Sequence, residues 1–218
     1  MTMKPFYTFT LDDEQREFVN AIMDQRKTIV FCNAVSGTGK TTLSMGCANI
    51  LVQDNRTNYD GIVYVVSPYA EKRQGYVPGD QDVKSELYFD PAYEAMDELG
   101  MNPNVVVYRK SMNAEQQKKA YVKLMTHTYL RGKNTKNKVV IIDEAQNYTF
   151  PELKKTLTRC HDSCKAIVIG HTGQIDITEE SGFAPYIEHF RDQDRAAICG
   201  LTTNHRGWLS TYADALEG

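Results

Sequence analysis

The fold is decided by one stretch, Thr28-Ile29-Val30-Phe31-Cys32 and, one residue later, Ala34-Val35-Ser36-Gly37-Thr38-Gly39-Lys40-Thr41. The apolar, β-branched run predicts a strand over residues 28–32, and a helix is predicted from about Lys40 to Gln53. Glycines between a strand and a helix let successive backbone N–H groups ring a phosphate, and the start of the helix adds a favourable dipole. The stretch therefore predicts a phosphate-binding loop.

The polar side chains of this loop have roles that follow from their chemistry. Lys40 reaches the β- and γ-phosphates, and the Thr41 hydroxyl ligates Mg²⁺. The first position of the pattern is usually Gly, and Ala34 there predicts a slightly altered turn with binding retained. We expect ATP to be bound by the loop residues Ala34, Val35, Ser36, Gly37, Thr38, Gly39, Lys40, Thr41 and Thr42.

A second motif, Asp143-Glu144-Ala145-Gln146, follows the apolar run at 139–142. In open α/β sheets, ligands bind beyond the carboxyl ends of the strands. We expect Asp143 to hold Mg²⁺ through water and Glu144 to be the general base that orients the attacking water. Two adjacent carboxylates thus predict hydrolysis of the nucleotide.

Further apolar runs and helical patterns extend this unit along the chain. Strands are predicted at 62–66, 105–108, 139–142, 166–169 and 196–199. Helices are predicted at 10–26 with Thr10 as the cap, at 85–99, at 113–128, from Pro151 at the first helical position, and at 207–216. Continuous apolar strands that alternate with helices predict an α/β fold, a mostly parallel sheet with helices on both faces. Since no change of composition marks a linker, we expect a single domain over residues 1–218, with an inserted, more polar region around 69–135.

Charge is balanced overall but uneven along the chain. The 218 residues contain 25 Lys and Arg against 28 Asp and Glu, which excludes a uniformly basic nucleic-acid-binding protein. Residues 109–138 nevertheless contain nine basic residues and one acidic residue, with tyrosines between them. Such a strip is typical of single-stranded RNA or DNA binding. The alternatives are a solvated helix face and a contact with an acidic neighbouring subunit. The residues proposed for nucleic acid are Lys118, Lys119, Lys123, Arg131 and Lys133.

Cysteine usage and hydropathy bear on the compartment. The five cysteines are an odd number without framework spacing, which favours free thiols in a reducing compartment. The first residues lack an apolar signal segment, and no run approaches ~18 apolar residues. We therefore expect a cytoplasmic protein, cellular or viral, without a membrane partner.

Three further segments resemble motifs of superfamily-one helicases. The segment 11–15 resembles their glutamine motif, which implies that Gln15 reads the adenine edge. The segment 170–176 resembles their third motif, which implies that Gln174 senses the γ-phosphate, although His171 stands where Asp is usual. Leu201-Thr202-Thr203-Asn204-His205-Arg206 resembles the motif whose arginine stabilises γ-phosphate charge, which implies that role for Arg206.

Two segments narrow the resemblance. Tyr129-Leu130-Arg131-Gly132-Lys133 and Gly75-Tyr76-Val77-Pro78-Gly79-Asp80 resemble the PhoH-like family of phosphate-starvation-inducible ATPases. Together the matches run from about residue 11 to 213. The resemblance implies a RecA-like P-loop NTPase domain, the cofactors ATP and Mg²⁺, ATP hydrolysis, activity linked to RNA or DNA, and assembly into a ring.

The length adds an expectation about assembly. A chain of 218 residues excludes two full helicase motor domains, and helicase-like sites lie between two such cores. We therefore expect a homo-oligomer in the form of a hexameric ring, with the ATP site at the boundary between subunits. Two other functions stay open at this point: a small-molecule kinase with a lid near 69–84, and a nucleotide-gated binding module with little turnover.

Overall fold

The computed structural model describes residues 10–68, 87–130 and 134–214. Within these ranges the chain forms a six-stranded sheet of order β3-β2-β4-β5-β1-β6, and every pair of neighbouring strands is parallel. The predicted α/β fold with a mostly parallel sheet is confirmed. The strands are β1 (Ile29–Ala34), β2 (Ile62–Val66), β3 (Val122–Thr126), β4 (Val139–Ile142), β5 (Lys165–Gly170) and β6 (Ala196–Leu201).

Helices cover both faces of this sheet, as predicted. Side chains along a strand alternate between two separate apolar cores, so that Val30 and Cys32 lie in one and Ile29 and Phe31 in the other. The first three helices below pack on the first core, and the sixth and seventh pack on the second. The helices are α1 (Asp13–Met23), α2 (Lys40–Gln53), α3 (Asp90–Glu98), α4 (Pro103–Val106), α5 (Ala114–Lys119), α6 (Phe150–Leu157), α7 (Phe183–Phe190) and α8 (Trp208–Asp214).

The ends of two helices differ slightly from the predictions. The N-cap of α1 is Asp12, not Thr10, because its side chain accepts a hydrogen bond from the Gln15 backbone N–H at 2.8 Å. Helix α6 begins at Phe150, one residue before Pro151, with Thr149 as its cap. Helix α7 was not predicted. All three cases concern caps or short elements, where local patterns are weakest.

The segment 102–126 is where the prediction is wrong. Residues 103–106 form a helical turn instead of a strand, because Pro103 opens it and the Asn102 side chain caps it by accepting from the Asn104 N–H at 3.0 Å. The helix predicted at 113–128 ends at Lys119, and β3 follows as an outer strand of the sheet. Tertiary pairing with β2 overrides the helical pattern there.

The polar region predicted as an insertion around 69–135 contains this outer strand, so part of it belongs to the main sheet. Its segments 69–86 and 131–133 lie outside the described residues. In the ranges that the structure describes, no helix has the length and apolar character needed to cross a bilayer.

Candidate active site

The phosphate loop joins β1 to α2 at the carboxyl edge of the sheet. Gly37 and Gly39 adopt positive φ angles of 76° and 77°, a region that a residue with a Cβ enters only at a cost. Ala34 is fully buried as the last residue of β1 and pairs with Leu201 of β6. Since Ala34 is not among the described residues with positive φ, the backbone at this position does not need glycine.

A buried carboxylate lies beside the loop. Asp143 follows β4 and is fully buried, and its Oδ2 accepts hydrogen bonds from the Thr41 hydroxyl at 2.8 Å and from the Tyr64 hydroxyl at 2.7 Å. Burial and the charge of Asp143 raise the pKa of Tyr64 well above its ordinary value, which keeps the phenol protonated as a donor. The predicted metal-binding pair, Thr41 and Asp143, is therefore in direct contact. Tyr64 was not predicted, because an apolar strand gives no signal for its hydroxyl.

The next residue, Glu144, has a left-handed backbone with φ of 50°. Its Oε2 accepts a hydrogen bond from Gln146 Nε2 at 2.6 Å. Burial first, and then the neighbouring charge of Asp143, raise the pKa of Glu144, and the positive charge of Lys40 opposes this shift. A carboxylate of raised pKa near the lysine of a phosphate loop suits proton transfer from water.

The segment 201–206, which begins at the last residue of β6, contacts the phosphate loop. Leu201 O accepts from the Val35 N–H at 3.1 Å, and the His205 N–H donates to Gly37 O at 2.8 Å. Arg206 Nη1 donates to the Ser36 hydroxyl at 3.0 Å. The predicted arginine therefore lies against the phosphate loop of its own chain.

The same segment is tied to α1, which carries Gln15. Gln15 is buried and donates from Nε2 to Thr38 O at 3.0 Å, and His205 Nε2 lies 2.9 Å from Asp12 Oδ2. The Glu14 carboxylate accepts from the Thr202 N–H and hydroxyl at 2.7 and 2.8 Å. These bonds hold the Gln15 side chain at the rim of the loop.

A cavity of about 420 Å³ opens between these elements. Its walls combine Gln15, the loop and Arg206 with acidic residues of α3 that sequence reasoning missed, Glu94 and Glu98. Glu98 Oε2 accepts from the Thr42 hydroxyl at 2.8 Å. The lining residues are Thr10, Leu11, Gln15, Gly37, Thr38, Gly39, Lys40, Thr41, Thr42, Leu43, Pro91, Glu94, Ala95, Glu98, His205 and Arg206.

Gln174 is placed differently. It is exposed in the turn after β5, where its backbone N–H donates to His171 O at 3.1 Å, and it does not line the cavity. The cavity wall contains Gln15, Arg206 and the loop residues from Gly37 to Thr42. Asp143 and Glu144 do not line it but lie next to Thr41 and Lys40, and Gln174 is not in the wall.

The basic strip lies at the outer edge of the sheet. Lys118 and Lys119 are exposed at the end of α5, and Lys123 is exposed on β3. Lys123 Nζ lies 5.1 Å from the ring centroid of Tyr108, which is itself partly exposed. The other residues proposed for nucleic acid, Arg131 and Lys133, lie outside the described residues, as does the segment Gly75–Asp80.

The chain is similar in sequence to PhoH-like proteins. The family model described as "PhoH-like protein" matches residues 10–206. A PhoH-like protein of Synechocystis is 30% identical over 191 residues, which cover 86% of this chain and 54% of the relative. A PhoH-like protein of Bacillus subtilis is 31% identical over 192 residues, with coverages of 86% and 56%. The chain thus spans about half the length of the curated relatives it matches.

Solved structures show the same fold at low identity. A large terminase from a thermophilic bacteriophage, in complex with ADP, has a TM-score of 0.55 at 13% identity, over 96% of this chain and 51% of that one. The Hef helicase domain of Pyrococcus furiosus has a TM-score of 0.51 at 15% identity, over 94% and 40%. The family model and these neighbours together support a P-loop NTPase core. The chain belongs to the PhoH-like family.

Proposed function

We propose that this chain binds ATP and hydrolyses it to ADP and phosphate. The contact between the Thr41 hydroxyl and the buried Asp143 carboxylate supports the proposal most directly, because it joins the phosphate loop to the acidic motif. In the proposed complex the loop N–H groups and Lys40 bind the phosphates, and Gln15 contacts the base. Arg206 stabilises negative charge on the γ-phosphate.

Magnesium is the metal that these donors suit. Hydroxyl and carboxylate oxygens are hard ligands, and Mg²⁺ is usually bound by one or two carboxylates together with substrate phosphates. Across the described ranges, no group of three or more His, Cys, Asp and Glu side chains could hold a metal by itself. Thr41 and Asp143 would hold the ion, which would neutralise phosphate charge when bound.

Glu144 acts in this proposal as the general base. Its side chain accepts the proton of the water that attacks the γ-phosphorus, and the bond from that phosphorus to the bridging oxygen breaks to release ADP. The positive charges of Lys40 and Arg206 stabilise the negative charge of the phosphates. Adjacent carboxylates favour water as the acceptor, which distinguishes this proposal from a small-molecule kinase. A binding module with little turnover would not depend on the Glu144 carboxylate.

Phosphate release from Mg²⁺ and ATP, without any other acceptor, tests the proposal. We expect steady release from the wild-type chain, and loss of release with retained ATP binding in Glu144→Gln. Glu188→Gln is the matched control, since Glu188 is exposed on α7 and pairs with Arg191 at 2.8 Å. No release from the wild type without an added acceptor would reject hydrolysis. Unchanged low release in Glu144→Gln would favour the binding module.

A second proposed function is the binding of single-stranded RNA or DNA at the outer edge of the sheet. The observation in its favour is the exposed ammonium of Lys123 beside the ring of Tyr108, with Lys118 and Lys119 on the adjoining helix. Lysines neutralise the phosphates of a nucleic acid, and its bases stack on exposed aromatic rings. Binding of a labelled single strand in the presence of ATP should weaken steeply with salt. Binding that is absent or insensitive to salt would reject this function.

Assembly into a homo-oligomer stays a prediction. Arg206 contacts the loop of its own chain, so a second copy is not required as the source of an arginine. The solution mass, measured with and without a nucleotide analogue, tests assembly directly. A monomer with full ATPase activity would reject the hexameric ring.

A further inference from the structure

A chain of buried hydrogen bonds connects Glu144 to the turn after β5. Gln146 is 2% exposed and donates from Nε2 to Glu144 Oε2 at 2.6 Å. Its other amide atom, Oε1, accepts from the His171 backbone N–H at 3.0 Å. One amide side chain thus touches the proposed base at one end and the turn 171–176 at the other.

The turn itself is fixed at two more points. Asn33 of β1, just before the phosphate loop, exchanges hydrogen bonds with Thr172 at 3.0 Å each. Asn147 and Asp176 are joined by two further bonds, at 3.1 and 2.9 Å. These bonds therefore fix the position of the backbone N–H that holds Gln146.

We propose that Gln146 is a positioning residue that fixes the orientation of the Glu144 carboxylate and is itself held by the His171 N–H of the turn 171–176. This inference rests on the proposed function, in which Glu144 is the base. It also gives the segment that resembles the third helicase motif a route to the site through a backbone N–H. That route needs no contact between Gln174 and the nucleotide.

The glycine at the end of β5 makes this arrangement possible. A Cβ built on Gly170 would lie 2.5 Å from Gln146 Oε1, and 3.1 Å from the backbone nitrogen atoms of Ala145 and Gln146. The closest of these atoms is the end of a flexible side chain, so an alanine displaces the Gln146 amide from His171, and the backbone at Ala145 and Gln146 must also shift by a few tenths of an ångström. Gly170→Ala thus displaces Gln146 without replacing a side chain of the site, and Gln146→Met removes the amide without the accompanying backbone shift.

Gly200 supplies a matched control on the neighbouring strand. Gly170 and Gly200 both pair with Asn33, from β5 and from β6. A Cβ on Gly200 would meet only Asn33 O, at an ordinary 3.8 Å. Gly200→Ala therefore makes the same chemical change at an equivalent register position without touching Gln146.

The experiment measures kcat and KM for ATP, together with Tm, in Gly170→Ala, Gln146→Met and Gly200→Ala. A 1 Å misplacement of a reacting group can cost about 100-fold in rate. We expect kcat to fall by about 10- to 100-fold in Gly170→Ala and Gln146→Met, with KM within about twofold because the cavity wall is unchanged. Gly200→Ala should match the wild type.

Wild-type kcat in either Gly170→Ala or Gln146→Met would overturn the positioning role while ATP hydrolysis stood. A parallel loss of kcat and ATP binding, or an equal loss in Gly200→Ala, would also overturn it, since general damage to the sheet would then explain the change. Absence of phosphate release from the wild type would instead reject the proposed function itself.

Discussion

The interior strands of the sheet and its outer edge carry charge in opposite ways. Just after β4 and at the start of β5, the charged side chains of Asp143 and Lys165 are fully buried, and each is held by two or more hydrogen bonds. On β3 and α5 the lysines are exposed, and the interaction described for Lys123 is with an aromatic ring. The stability of a buried charge depends on each of its hydrogen-bond partners, because removing one leaves an uncompensated charge in the interior at a large cost in free energy. Exposed charges each contribute little, so their effect depends on how many there are, and salt screens it. Single substitutions should therefore have large effects inside the sheet and small ones at its edge.

The strongest test of this contrast is Asp143→Asn. The change keeps the size of the side chain but removes the charge that faces Thr41 and Tyr64. Metal binding contributes several kcal/mol to the stabilisation of a transition state, so phosphate release should fall about 1,000-fold or more. Release assays over a range of Mg²⁺ concentrations measure the decrease. Activity within tenfold of the wild type would contradict the role of Asp143.

Lys165→Met extends the test to a buried cation that serves no proposed chemistry. Lys165 Nζ donates to Ile22 O and Asp24 O at 2.6 and 2.7 Å, at the carboxyl end of α1. The variant removes the Lys165 donor from both carbonyl groups, although Asp24 O keeps the Lys27 N–H at 3.0 Å, and we expect a decrease of about 2 kcal/mol in the free energy of unfolding. Lys154→Met, on the exposed face of α6, should change it by less than about 0.5 kcal/mol. Chemical denaturation distinguishes the two, and equal decreases would refute the contrast.

The same lysine predicts a pH dependence of stability. Burial lowers the pKa of Lys165 from 10.5 to about 8. Between pH 8 and 10.5 the unfolded chain then binds more protons than the folded one, so this group makes the free energy of unfolding rise with pH. The rise should be smaller in Lys165→Met than in the wild type. Identical slopes in denaturation curves across this window would argue against the lowered pKa.

A smaller effect is expected for Tyr64→Phe, which removes one of the two side-chain donors to Asp143. A hydrogen bond to a charged group contributes about 1.5–3 kcal/mol, so kcat should fall by about tenfold or somewhat more. Tyr59→Phe, at a partly buried tyrosine packed against the same core, should change kcat by less than about twofold. A result in which both variants behave alike would mean that the phenol hydroxyl of Tyr64 has no role in the site.

The smallest effects belong to the outer edge. Lys118→Glu with Lys119→Glu should weaken single-strand binding several-fold and lower the salt slope by about 0.7 for each phosphate that the protein no longer neutralises. Lys154→Glu with Lys155→Glu, on α6, reverses the same charges elsewhere and should leave the slope unchanged. Binding isotherms at three salt concentrations separate these outcomes. Equal weakening by the two double variants would indicate a general charge effect.

Local sequence patterns predicted the central strands and α2 because the conformation of those elements is determined mainly by the residues within them. Strands β1, β2 and β4 are continuous apolar runs, and the glycines before Lys40 fix the turn into α2. The segment 102–126 failed for the opposite reason. Val105 and Val106 have the composition of a strand, but Pro103 and its cap impose a helical turn, and β3 forms by pairing with β2.

The candidate site, like the fold, could be predicted where its residues lie in contiguous motifs and not where distant strands bring them together. Motifs located Lys40, Thr41, Asp143 and Glu144, since each motif is contiguous and its chemistry is recognisable. Tyr64, Gln146 and the acidic residues of α3 were not assigned roles, because their importance arises only where distant strands place side chains together. The Tyr64–Asp143 contact, for example, joins two strands whose adjacency no local pattern encodes.

The position of β1 between β5 and β6 also determines when the site can assemble during synthesis. The phosphate loop leaves the ribosome early, but both strands that flank β1, and the arginine that touches the loop, are made much later. Contacts of such long sequence separation form late and slow the folding of a chain. A nascent chain that ends before β5 therefore has the residues of the phosphate loop without the walls that hold it. The proposed nucleotide binding therefore requires that nearly all of the described sequence has been synthesised.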